Sequence, residues 1–119
     1  QSLGIDRVDF IKIDVEGGEL GVLQGAANTL TRDRPVVVFE VNVFCLWRYG
    51  RTLPQDLFAW VRDRYPHTAV IDSEATVTHI EGDATVNHVL HLLGTGAAVI
   101  DVVASHNPIE FNSDDFLIR

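Results

Sequence analysis

Methionine is absent from the 119 residues and the chain opens on Gln1, so it reads as a fragment or a processed product rather than a chain begun at its own initiator. Cysteine is nearly absent. The single Cys45 excludes an internal disulfide and fits a reducing, cytoplasmic setting. Basic residues are scarce: 9 lysines and arginines against 17 acids give a formal charge of −8. That balance argues against nucleic acid or an anionic membrane as partner, since both select basic surface. It suits a small, neutral or cationic molecule. No apolar run approaches the length that spans a bilayer, and no basic segment leads into an apolar one as in a signal peptide.

Several catalytic signatures are missing too. There is no Gly-x-Gly-x-x-Gly, and Gly94-Thr95-Gly96 precedes a strand rather than a helix, the wrong context for a phosphate loop. Ser105-His106 has no Gly-x-Ser-x-Gly elbow to make it part of a triad. His88 and His91 stand three apart rather than the four usual for zinc helices, with no cysteine cluster nearby, so no metal ligand is assigned. What remains is a globular composition, 46% apolar and 22% charged, enough for one α/β domain over residues 1–119.

The most informative stretch is Phe-Ile-Lys-Ile-Asp-Val-Glu-Gly-Gly-Glu at 10–19. It reads as a strand over 8–14 that ends in two carboxylates, turns on glycines and enters a helix over 19–31 with Leu20, Leu23, Ala27 and Leu30 on one face. Gly25 inside that helix predicts a close approach to the sheet. Pro35 introduces Val-Val-Val-Phe-Glu-Val-Asn-Val at 36–43, a strand whose unbroken apolar run predicts cover on both faces. Strand, helix and strand make a βαβ unit. A loop is expected at 44–52, then a helix at 53–65 with Leu53, Leu57, Trp60, Val61 and Tyr65 buried and Pro54 in its first turn. Further strands are expected at 67–72 and 97–104, a short hairpin arm at 75–81 and a helix at 84–93 presenting Val86, Val89, Leu90 and Leu93. Residues 107–119 carry no readable pattern.

Ligands of open α/β sheets bind beyond the carboxyl ends of strands, which makes the acids there candidates for chemistry. Alternation sets Phe10, Lys12 and Asp14 on one face of the first strand and Ile11 and Ile13 on the other. Asp14 either acts on a ligand or caps the turn. Glu16 either binds substrate hydroxyls or holds the turn through backbone N–H groups. Glu19 reads as a charge at the positive end of the helix. Lys12 in a core strand calls for a partner, and Glu40 on the next strand is expected to supply it. Val38, Glu40 and Asn42 share a face, so Glu40 and Asn42 are candidates for binding substrate. Trp47 and Tyr49 either line an acceptor pocket or pack on the surface.

The segment Val8 to Gly25, with Lys-Ile-Asp-Val-Glu-Gly-Gly-Glu at 12–19 and the Pro35 to Glu40 strand after it, resembles the FkbM-type methyltransferases. The resemblance is specific through residue 42 and loose beyond it. It implies a doubly wound, Rossmann-like sheet in the order 3-2-1-4-5-7-6, of which this chain would supply half, strands 4, 5, 7 and 6 with flanking helices and the last strand antiparallel. The chain would then be the C-terminal portion of a class I methyltransferase fold. It implies S-adenosylmethionine as cofactor, with its site mostly outside these residues and no cofactor-binding residue within them, so the isolated piece is expected to be inactive. The implied reaction is O-methylation of a sugar or other small metabolite. Asp14 and Glu16 would be catalytic, Asp14 orienting or deprotonating the acceptor, with Glu40 and Asn42 binding substrate. The rival reading is a non-catalytic α/β module that self-associates through an open sheet edge; a nucleotide-binding oxidoreductase is a third.

Overall fold

The computed structural model describes residues 4, 6–80, 87, 90, 91, 99–111 and 116–118. Its centre is a five-stranded mixed sheet in the order β1-β2-β5-β3-β4, built from β1 (Phe10–Ile13), β2 (Val36–Asn42), β3 (His67–Ile71), β4 (Val77–His79) and β5 (Val99–Ser105). β1 and β2 are parallel, and β5 runs antiparallel to both β2 and β3. Helices include α1 (Glu19–Gly25), α2 (Ala27–Asp33), α3 (Val43–Arg48) and α4 (Pro54–Arg64), and residues 87, 90 and 91 are helical too. The stretch with no readable pattern contributes a separate hairpin, β6 (Ile109–Phe111) with β7 (Phe116–Ile118). The helix expected at 84–93 and the Gly94-Thr95-Gly96 turn lie largely or wholly outside the described residues, as does His88.

Alternation decides which side of each strand is covered. On β2, Val37, Phe39 and Val41 are fully buried while Val36, Val38, Glu40 and Asn42 are half-buried. Both faces are covered, but unequally: the second is only half-buried, with Val36 and Val38 packed against a smaller cluster. Val37, Phe39 and Val41 join Ile13, Val70, Ile100 and Val102 of the neighbouring strands in one apolar cluster with Leu23 of α1, Leu30 of α2, Leu46 of α3 and Leu57, Phe58 and Val61 of α4. The opposite face holds a smaller cluster of Ala69, Val103 and Ile109. Among the described residues the helices thus pack on one face of the sheet rather than both. The chain moves across the sheet in a single direction from β1 to β2 to β3, and crossovers of one hand place their helices on one side.

Other differences have local causes. The helix expected over 19–31 breaks at Ala26, whose N–H is shared between the carbonyls of Val22 and Leu23. The preceding Gly25 weakens the helix there. A Cβ on Gly25 would meet nothing within 4 Å, so that glycine is not there for a close contact with the sheet. The loop expected at 44–52 begins instead with α3, because the Asn42 side chain accepts the Cys45 N–H at 3.1 Å and caps the helix. Pro54 does open α4. Leu53 lies outside the core at 44% exposure, being the residue before the first turn, and Phe58 takes a buried place instead. β1 forms one edge of the sheet, and no strand among the described residues pairs with its outer side.

Candidate active site at the carboxyl ends of the first two strands

The turn that leaves β1 is held by Glu19. Its carboxylate is 2% exposed and accepts the N–H of Val15 at 3.0 Å and of Gly17 at 2.9 Å. The turn-holding alternative raised for Glu16 therefore belongs to Glu19, which does more than complement the helix dipole. Glu16 is exposed and sits at φ 49, a left-handed conformation costly for a residue with a Cβ. Gly17 follows at φ 104. A Cβ on Gly17 would land on the carbonyl oxygen of Cys45, and one on Gly50 would land on the carbonyl oxygen of Gly17. The turn after β1 and the helix after β2 are thus pressed together backbone to backbone, with glycine required on both sides.

This contact gathers the acids. Asp14 leaves the end of β1, Glu16 and Glu19 stand in the turn, and Glu40 lies near the end of β2 with Asp101 of β5 directly opposite it. Burial, then the charges of Asp14, Asp101, Glu19 and Glu16, push the Glu40 carboxyl above its ordinary value. Burial and the charges of Glu16, Glu19 and Glu40 raise the Cys45 thiol likewise, which disfavours its thiolate. The Lys12–Glu40 pair does not form. Lys12 stands opposite Val38 in the parallel register, two residues short of Glu40, and is exposed. Arg7–Asp9 and Arg32–Asp33 do form ion pairs.

Asp14 and Glu16 are both exposed, and hollows of about 400, 390 and 170 Å³ elsewhere are lined by other residues. Asn42 is half-buried, with its carbonyl oxygen committed to capping α3. Beside the acids, α3 and the residue after it expose Phe44, Trp47 and Tyr49 at 67%, 54% and 65%. Arg51 lies 5.4 Å over the Trp47 ring and Arg48 lies 5.7 Å over Tyr49. These aromatics stand exposed on a short helix and on the residue that follows it. No group of three or more His, Cys, Asp or Glu side chains is arranged to hold a metal ion among the described residues. No helix among them is long and apolar enough to cross a membrane.

Acids and exposed aromatics at the carboxyl ends of adjacent parallel strands define a mixed α/β protein, compatible with a Rossmann-like fold, whose candidate site lies at the sheet end where such folds bind ligands. The chain belongs to the FkbM methyltransferase family: the family model described as Methyltransferase FkbM domain matches residues 1–65. The match covers β1, β2 and α1 to α4, including every acid of the site except Asp101. It lies in the N-terminal part of this chain, so the expected placement of all 119 residues as the C-terminal half of the domain is not borne out. No curated protein and no solved structure matches the chain.

Proposed function

We propose that the domain serves methyl transfer to a hydroxyl oxygen of a sugar or another small polyol metabolite, with the acceptor held at the carboxyl ends of β1 and β2. The observation that carries this reading is the crowding of Asp14, Glu16, Glu40 and Asp101 at one end of the sheet, which raises the Glu40 carboxyl. Carboxylates in that position accept hydrogen bonds from several hydroxyls at once and favour a cationic group beside them. S-adenosylmethionine, the usual cofactor of methyltransferases, carries such a cationic sulfonium and supplies an electrophilic methyl group when bound. The acid cluster fits that charge. No residue of this chain is assigned to the nucleoside part, because none of the cavities described above opens among these acids.

In this reading Asp14 orients the acceptor hydroxyl and takes its proton, and exposure at the strand exit leaves its carboxylate free to reach a bound ligand. Glu40 accepts from a neighbouring hydroxyl. The amide N–H groups of Asn42 donate to the acceptor, while its carbonyl oxygen stays on α3. Glu16 supports through its place in the strained turn, and Glu19 is a positioning residue that fixes the turn. Replacing Asp14 with Asn in the protein that carries this domain is expected to lower kcat about 10²- to 10⁴-fold with little change in unfolding midpoint. An unchanged kcat would remove Asp14 from the mechanism.

A further inference from the structure

At the opposite end of the sheet one hollow is lined by basic side chains. Arg34 precedes β2, Arg64 closes α4 just before β3, and His106 follows β5, so the three side chains meet at the end remote from Asp14 and Glu40. Together with Leu30, Thr31 and Tyr65 they line a hollow of about 170 Å³. Neither arginine makes an ion pair among the described residues. Arg34 donates to Nδ1 of His106 at 3.0 Å, which holds that ring nitrogen as an acceptor. Arg64 donates to the Trp60 carbonyl at 3.0 Å and lies 3.8 Å over the Trp60 ring. The nearest acid in sequence, Asp33, is already engaged by Arg32 at 2.7 and 3.0 Å and by the Val8 N–H at 2.9 Å.

Two arginines line this one hollow with no carboxylate in its wall, in a chain of charge −8, and each raises the cost of the other. Arg34 is held there at φ 52, a conformation that favours glycine or asparagine. Tyr65 is rigid at the base: it is buried, and its hydroxyl donates to the Pro35 carbonyl at 3.0 Å. Tyr65 is also shared with a cavity of about 400 Å³ lined by Arg62, His67, Thr68 and His79, none of them acidic. In that wall the Thr68 hydroxyl is buried with no hydrogen-bond partner.

We propose that the Arg34–Arg64–His106 hollow binds the phosphate group of a small molecule, with the remainder of the molecule extending toward the 400 Å³ cavity on the other side of Tyr65. Guanidinium forks match tetrahedral oxyanions in geometry and charge, and the hollow has room for one phosphate group but little more. The site is independent of methyl transfer at the other end of the sheet.

The test is a titration of the whole chain with inorganic phosphate and, in parallel, with glycerol phosphate, followed by amide and imidazole NMR shifts. Saturable shifts at Arg34, Tyr65 and His106 are expected, weakened about tenfold or more in Arg64→Gln and in Arg34→Gln and unaffected in the remote Arg48→Gln. Tighter binding of the ester identifies a phosphorylated metabolite as the source, and equal binding identifies free phosphate. Absence of saturable shifts with both probes overturns the proposal. So does binding that neither arginine variant weakens. Arg64→Gln leaves the left-handed backbone at Arg34 untouched, so the test does not hang on a variant that strains the fold.

Discussion

Glu40 sits where like charges face each other across two strands, opposite Asp101 and near Asp14. A carboxyl raised above its ordinary 4.5 binds its proton more tightly in the folded chain than in the unfolded one. Stability therefore falls as pH rises from that ordinary value through the folded one, and the penalty is complete above it. Glu40→Gln is expected to stabilise the fold at neutral pH by less than about 1 kcal/mol, and the gain should vanish below the ordinary carboxyl range. Denaturant midpoints measured at neutral and acid pH check this, and a gain that persists in acid would assign the effect to packing instead. Asp33 behaves in the opposite sense. Its bond to Arg32 and the Val8 N–H hold it down to about 2, so its contribution survives until strongly acid conditions.

At the scale of elements, the joint between the β1 turn and α3 rests on two glycines. Gly17→Ala meets both a φ of 104 and the Cys45 carbonyl, so a loss of at least about 2 kcal/mol is expected in urea unfolding. Gly25→Ala, in open space at the end of α1, should be neutral or stabilising and serves as the control. Much of this architecture was legible in the residues. Val-Val-Val-Phe-Glu-Val-Asn announced β2, Pro54 opened α4, and the Asp-Val-Glu-Gly-Gly-Glu run marked the turn where the acids gather. The missed features depend on through-space geometry. Glu19 reaches back to Val15 and Gly17, which in one dimension looks like any acid at a helix start. Asn42 ends a strand and caps a helix at once, so α3 was hidden inside an expected loop. The pairing of Lys12 with Val38 is set by how α1 and α2 bring the chain back, and a slip of two residues is invisible until that connection is known. The Arg34–Arg64–His106 cluster is assembled from three distant segments and leaves no spacing to find.

For the whole molecule, Asp14, Glu16, Glu40 and Asp101 collect at the carboxyl ends of the parallel strands, while Arg34, Arg64 and His106 line a hollow at the other end of the sheet. Protection is graded along the other axis. β2 and β5 are interior strands with neighbours on both sides, whereas β1 and β4 are edges. Hydrogen exchange is expected to be slowest at Phe39, Val41, Val102 and Ala104 and much faster at Phe10, Lys12 and Thr78, and comparable protection at edge and centre would contradict this sheet order. The insertion of β5 between β2 and β3 also has a consequence for the order of assembly. On a ribosome, Val36–Asn42 and His67–Ile71 emerge first, yet they must stand about 10 Å apart with a vacant lane between them until residues 99–105 arrive. The nascent sheet therefore stays split in two, with sticky flanks facing one another, and only a late-synthesised strand zips it shut.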